Sequence, residues 1–455
     1  MSGYADFLAS KRKSVASVGP ADAAPSDVHP LLHDWQAEIV AWAVRKGRAA
    51  IFADCGLGKT FMQLEWARMI ADRTLILAPL SVARQTVREA HRINLDVRYV
   101  RHGADAAGPG IWITNYEMAD NFDPATFDAV VLDESSILKN VEGKTRQRLT
   151  TALSTVPYRL ACTATPAPND VAELCNHAEF LGAMSRAEML AAFFVHDEIG
   201  WRLKGHAADP MFRWMASWAV ALRRPSDVGY SDKGYDLPPL NILPEVVTVD
   251  LEAEGQLFPT ELGGIGGRSK VRRATLDARC ETAAELANRP GQWIVWCGLN
   301  DEADEISSAV DGAVNVEGSW SPDAKAEALE AFQDCRLRVL VTKPSIAGFG
   351  MNFQNCHRMI FVGLSDSYEA YYQAIRRCWR FGQAHPVDVH VVVSDLERQI
   401  VDNVRRKEIE ATYSSDRLTR FSPIRKDNAT NGHDIGTSSP ARRIPRRMLA
   451  STKRR

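Results

Sequence analysis

The stretch AAIFADCGLGKTFMQLEWA, residues 49–67, decides how the chain folds. An apolar run (AAIFA) enters a glycine-containing loop and leaves it as a helical pattern beginning near Lys59. A strand apolar on both faces belongs in a parallel sheet covered by helices. The loop closes in Gly58-Lys59-Thr60, which matches the end of a phosphate-binding loop. Its first position is Ala53, where the general pattern has glycine. Gly56 and Gly58 let backbone N–H groups approach phosphate oxygens closely, and the following helix adds the positive end of its dipole. In such a loop Lys59 supplies charge to the β- and γ-phosphates, and Thr60 a hydroxyl to Mg²⁺. The residue types point to a nucleoside triphosphate.

A second strand-like run, VVLDESSILKN at 130–140, ends in two acids and two serines. Two readings fit it. One is a polar turn whose Ser and Asp residues cap the next helix. The other is a ligand site outside the carboxyl end of a parallel strand. With a triphosphate next door, Asp133 gains the task of holding Mg²⁺ through water, and Glu134 that of orienting and deprotonating the attacking water. Hydrolysis then suits the pair better than transfer to a substrate hydroxyl, and capping by Ser135 and Ser136 is compatible with it.

Around these motifs the chain alternates strands with helices, which predicts parallel sheets covered by helices. Its 455 residues suggest two or three domains. Residues 1–28 read as a flexible N-terminal arm. A first lobe spans 29–182, with strands RAAIFA, TLILA, GIWIT, AVVLD and YRLAC. A helical insertion and linker occupy 183–245. There Met211, Met215, Trp218 and Leu222 recur at helical spacing, so MFRWMASWAVALRR is predicted as one amphipathic helix stopped by Pro225. YDLPPLNILPE reads as a proline-rich connection. A second lobe spans 246–425, with strands EVVTVDL, QWIVWC, GAVNVE, LRVLVT, RMIFVG and VDVHVVV, and ELGGIGGRSK as a surface loop. SPDAKAEALEAFQD is a predicted helix with Ser321 as N-cap and Pro322 in the first turn. Residues 426–455 form a basic tail read as disordered. It ends in ARRIPRRMLASTKRR, seven basic residues and no acid, and could touch nucleic acid non-specifically.

Composition narrows the classes. Hydrophobic content of 45% and charged content of 25% are those of a globular protein with ample core. A formal net charge of -2 excludes a uniformly basic nucleic-acid coat but allows a local basic groove. The eight cysteines include no C-x-x-C pair, so neither a zinc site nor a disulfide framework is expected. No apolar run reaches the roughly 18 residues needed to span a bilayer. The N-terminus lacks the apolar core of a signal peptide. These features predict a cytoplasmic protein without membrane contact.

Further motifs, in order, resemble those of superfamily 2 helicases and translocases, most closely the Swi/Snf-related branch, and among them the compact forms found in phage and prophage genomes. LHDWQAEIV supplies Gln36 where that family reads adenine. APLSVARQTVREAHR (78–92) resembles the motif gripping one nucleic-acid strand, with Ser81; ITNYE places Thr114 similarly. LACTATPAPND resembles the motif whose Thr163 and Thr165 couple the nucleotide site to the nucleic-acid groove. VTKPSIAGFGMNFQNC resembles motif V, with Thr342 toward nucleic acid and Gly350 and Asn352 toward the interlobe cleft. YYQAIRRCWRFGQ resembles motif VI, whose two arginines fall on Arg377 and Arg380. Their i, i+3 spacing puts both on one helix face, able to reach one anion. The sequence departs from its relatives at Arg376 and Trp379, where they carry an acid and a His, and at Ser135-Ser136, where many have Ala-His.

The resemblance implies an α/β fold of two RecA-like parallel-sheet lobes in tandem with a small helical insertion between them. It also implies an ATP- and Mg²⁺-dependent motor on nucleic acid, with sequence-independent binding of DNA, duplex more than single-stranded, or of RNA. A strand-separating helicase and a nucleotide-switched assembly protein remain open. A metabolite kinase would not account for a second lobe carrying motifs V and VI.

Overall fold

The computed structural model describes residues 15–139, 144–198, 200–247, 274–347, 351–364, 367–394 and 398–425. The N-terminal fourteen residues, the ELGGIGGRSK loop, Gly350 and the basic tail lie outside the described residues. No helix among the described residues is long and apolar enough to cross a membrane.

Two parallel sheets dominate. The first contains β1 (Arg48–Ala53), β2 (Arg73–Ala78), β3 (Val97–Tyr99), β4 (Gly110–Asn115), β5 (Ala129–Asp133), β6 (Tyr158–Cys162) and β9 (Ala219–Leu222). Its spatial order is β3-β4-β2-β5-β6-β1-β9, every neighbouring pair parallel. A separate antiparallel hairpin pairs β7 (Phe194–Asp197) with β8 (Gly200–Leu203). The second sheet runs β10-β15-β14-β11-β13-β12. Its strands are β10 (Leu240–Val247), β11 (Trp293–Cys297), β12 (Ala313–Val316), β13 (Val339–Thr342), β14 (Arg358–Val362) and β15 (Val387–Ser394), again all parallel. The chain is thus an α/β protein of two parallel-sheet lobes in tandem, with helices and a hairpin between them.

Burial on both faces explains the unbroken apolar runs. In β1, Ala49, Ile51 and Ala53 enter one core layer while Ala50 and Phe52 enter the other. In β11, Ile294 and Trp296 face one layer and Trp293, Val295 and Cys297 the opposite one. The predicted helix at 321–333 forms as Pro322–Gln333, with the Ser321 side chain accepting from the N–H of Ala324.

Two local expectations are corrected. The segment 211–224 is not one helix. A helix covers Ala208–Met215, and Ala219–Leu222 is a strand beside β1 that extends the first sheet beyond residue 182. Tertiary pairing overrides the periodicity: all four of its residues are buried, which suits a strand covered on both faces better than an amphipathic helix. The second-lobe sheet also begins earlier than EVVTVDL, at Leu240 within the proline-rich connection. Pro244 is tolerated there because β10 is an edge strand.

The last helix, Arg398–Arg420, leaves the second lobe and packs back on the first. Leu418 joins the first lobe's core, Thr419 Oγ1 donates to Ala221 O at 3.3 Å, and Arg417 and Asp416 form ion pairs with Asp209 and Arg223.

Candidate nucleotide site at the interlobe cleft

Because β5, β6 and β1 are adjacent and parallel, their carboxyl ends bring three sequence motifs together at one sheet edge. The loop after β1 turns through Gly56 (φ 84°) and Gly58 (φ 73°), conformations that favour glycine. A Cβ on Gly58 would lie 2.4 Å from Gln36 Nε2. Gln36 donates to Leu57 O at 2.9 Å and accepts from the His33 N–H at 2.8 Å, which fastens it to the loop. The helix Lys59–Ile70 starts directly after Gly58, placing Lys59 and Thr60 in its first turn. Lys59 Nζ donates to Ala53 O (2.8 Å) and Asp54 O (3.3 Å).

Asp133 ends β5 almost fully buried. Gln63 Nε2 donates to its Oδ2 at 3.0 Å and the Glu134 N–H to its Oδ1 at 3.0 Å. Burial, then the adjacent Glu134 charge, push its carboxyl up to about 6, against the opposing pull of Gln63 and Lys59. Glu134 stands at φ 53°, unusual for a non-glycine residue, and the Thr163 hydroxyl donates to its Oε2 at 3.4 Å. Backbone held in such a conformation recurs at functional sites. Ser135 hydrogen-bonds His177 Nε2 at 3.1 Å and Ser136 donates back to Glu134 O, so both hydroxyls are occupied locally. Burial lowers His177 to about 4 and keeps it neutral.

The second lobe meets this edge through the helix Tyr368–Cys378. Tyr372 donates to Asp54 Oδ1 at 2.6 Å, and Arg376 pairs with Asp54 Oδ2 at 2.9 Å. Glu369 accepts from Thr165 Oγ1 at 3.4 Å and pairs with Lys139. Of these bridging residues the sequence reading picks out Thr165, and Arg376 only as a departure; Asp54, Lys139, Glu369 and Tyr372 carry no local signal of the contact. Arg377 lies inward, donating to Gln373 Oε1 (2.6 Å), Gln373 O (3.1 Å) and Met351 O (3.3 Å). Arg380 reaches Met351 O at 3.5 Å, with its side chain beside Gly56. Burial, then Arg377, lower its guanidinium to about 10.

The other expected positions are scattered. Thr165 touches the second lobe through Glu369, and its N–H donates to the Oγ1 of Thr163, which lies within the first lobe, at 3.1 Å. Ser81 sits in the helix Leu80–Ala90, after β2. Thr114 and Thr342 are fully buried residues of β4 and β13, and the Thr342 hydroxyl donates to Val316 O at 3.0 Å. Asn352 accepts from the Gln354 N–H at 3.2 Å.

The helicase conserved C-terminal domain family matches residues 276–382, from the first helix of the second lobe to the glycine after Phe381. The matched part of the second lobe is thus similar to a helicase C-terminal domain. Among solved structures the chain is similar to the Sulfolobus solfataricus SWI2/SNF2 ATPase core in complex with dsDNA, at 18% identity and a TM-score of 0.42, covering 88% of this chain and 98% of that one. No curated protein matches the sequence.

The residues of the interlobe cleft fit a magnesium triphosphate. Gly56 and Gly58 open the backbone, Lys59 supplies a cation, and the Asp133–Glu134 pair is one whose mutual repulsion a divalent cation would relieve.

Proposed function

We propose that the chain is an ATP-dependent motor of the superfamily 2, Swi/Snf-related type that moves along DNA, duplex rather than single-stranded. The observation that carries it is the docking of the lobe that matches a helicase C-terminal domain, through its motif VI helix, against a phosphate loop that lies two strands along the same sheet edge from Asp133, the end of β5, and the Glu134 that follows it. In this reading Gly56, Gly58, Lys59 and Thr60 cradle the phosphates and Gln36 lies at the adenine side. Asp133 and Thr60 hold Mg²⁺, Asp133 through water. Held there, Mg²⁺ would supply neutralisation of the charge that develops in phosphoryl transfer. Glu134 takes the proton of the attacking water while Thr163 steadies its carboxylate. Arg377 and Arg380 sit on the helix that reaches the loop, and turning out of their Met351 contacts would bring them to the phosphates. Grip on the nucleic acid falls to the helix carrying Ser81 and to motif V, mostly through phosphates and therefore weakened by salt.

Steady-state ATP hydrolysis at matched low salt, without nucleic acid and with duplex DNA, single-stranded DNA or RNA, tests this directly. Strong stimulation by duplex DNA, lost in Lys59→Ala, is expected. Stimulation by no nucleic acid would sink the motor reading and favour a nucleotide-switched assembly protein. A second reading, strand separation, draws support from the β7–β8 hairpin. Its Val195 and Trp201 are exposed, with the Trp201 ring packed on His196. Preference for single strands together with strand displacement would favour it.

A further inference from the structure

We infer that Arg376 sets the affinity of the phosphate loop for nucleotide by neutralising a carboxylate that the loop itself carries. The inference rests on reading residues 53–60 as the triphosphate site. Asp54 lies inside that loop, and a free carboxylate there opposes the anion the loop is built to gather. The structure gives it a cation from the other lobe. Arg376 Nη2 lies 2.9 Å from Asp54 Oδ2 and also donates to Cys55 O at 2.9 Å, with the arginine only 3% exposed. Tyr372 and the Cys55 N–H complete the shell around Asp54 Oδ1, each at 2.6 Å.

The guanidinium is held from behind. Its carbon lies 4.9 Å from the Trp379 ring centroid and 5.9 Å from that of Tyr372, and Trp379 is anchored by its own N–H to Pro238 O at 2.7 Å. The two motif VI positions that depart from relatives, Arg376 and Trp379, therefore act as one unit. Separating the lobes would withdraw Arg376 and leave Asp54 facing the loop. Closing them restores an anion-ready site, so nucleotide binding and lobe closure favour one another.

The test is binding of a fluorescent, non-hydrolysable ATP analogue with Mg²⁺ to the full chain. Arg376→Ala should weaken binding about tenfold. Asp54→Asn alone should bind as well as the unmodified protein or more tightly, and adding it to Arg376→Ala should recover most of the loss. Arg376→Lys, which keeps the charge, should stay within a few-fold. Undiminished binding in Arg376→Ala would overturn the inference. A loss that Asp54→Asn fails to repair would also do so, since it would make Arg376 a direct ligand or a structural prop. If Arg376→Ala does not fold, weaker binding in Asp54→Asn overturns the inference by itself. Failure of the unmodified chain to bind any nucleotide would instead remove the underlying site assignment.

Discussion

Replacing Asp133 by Asn should stabilise the protein while removing a proposed Mg²⁺ ligand. The carboxyl is raised from 3.8 to about 6, about two units, and at 1.36 kcal/mol per unit this is a destabilisation of about 3 kcal/mol when ionised. The direction follows from proton counting. Above pH 6 the group is ionised in both folded and unfolded chains, and only the folded chain bears the cost of burial. Between 6 and 3.8 the folded chain binds a proton the unfolded chain does not, so the penalty fades as pH falls and is gone below 3.8. Asn suffers no such penalty, and the site can receive it. Its Oδ1 keeps the Glu134 N–H, and its amide meets Gln63, whose Oε1 has no partner and can turn toward it. Thermal unfolding without metal or nucleotide, at pH 8 and at pH 4.5, is the assay. At about 2–4 °C per kcal/mol for a lobe of this size, Asp133→Asn should melt about 6–12 °C higher at pH 8, with most of that gain lost at pH 4.5. Mg²⁺-dependent hydrolysis should be abolished. A variant that melts lower at pH 8, or a gain unchanged by pH, would refute the account of Asp133 as a charge strained by burial.

Glu134→Gln should leave nucleotide binding intact and stop turnover, trapping a closed complex. A variant that binds no nucleotide would show that Glu134 is not the base. In the second lobe, Arg279 and Glu302 form a fully buried ion pair at 2.7 Å, with Glu302 also accepting from the N–H groups of Gly298 and Leu299. Arg279→Met should cost about 3–5 kcal/mol by leaving that carboxylate without its guanidinium. Urea denaturation followed by circular dichroism measures it, and a loss under about 1 kcal/mol would contradict the burial argument.

The parts of the fold legible in the sequence are those whose cause is local. β1, β5 and β11 are apolar on both faces and bounded by loops, so their runs alone mark them. The turn after β1 announces itself because Gly56 and Gly58, both at positive φ, stand within a few residues of Lys59 and the start of its helix. β9 was hidden for the opposite reason. Met211, Met215, Trp218 and Leu222 do fall at helical intervals, and only the open edge of β1 makes a strand of Ala219–Leu222. Motif position does not show how deep Thr114 and Thr342 sit: each lies in a buried part of its strand, where either side of the two-residue period meets packed chain.

What no local signal could supply is the contact between lobes, and that contact determines how the site is built. Neither lobe holds a complete constellation. The first carries the phosphate loop and the acids but leaves Asp54 negative within its own anion site. The second carries three arginines, of which Arg376 reaches that carboxylate while Arg377 and Arg380 remain against Met351. A continuous chain of contacts runs from Glu134 through Thr163 and Thr165 to Glu369 and Lys139, so it leaves the first lobe, touches the motif VI helix and returns. On the proposed function, the groups nearest the nucleotide are also among those that join the lobes, which would give hydrolysis a direct route to the lobe contact.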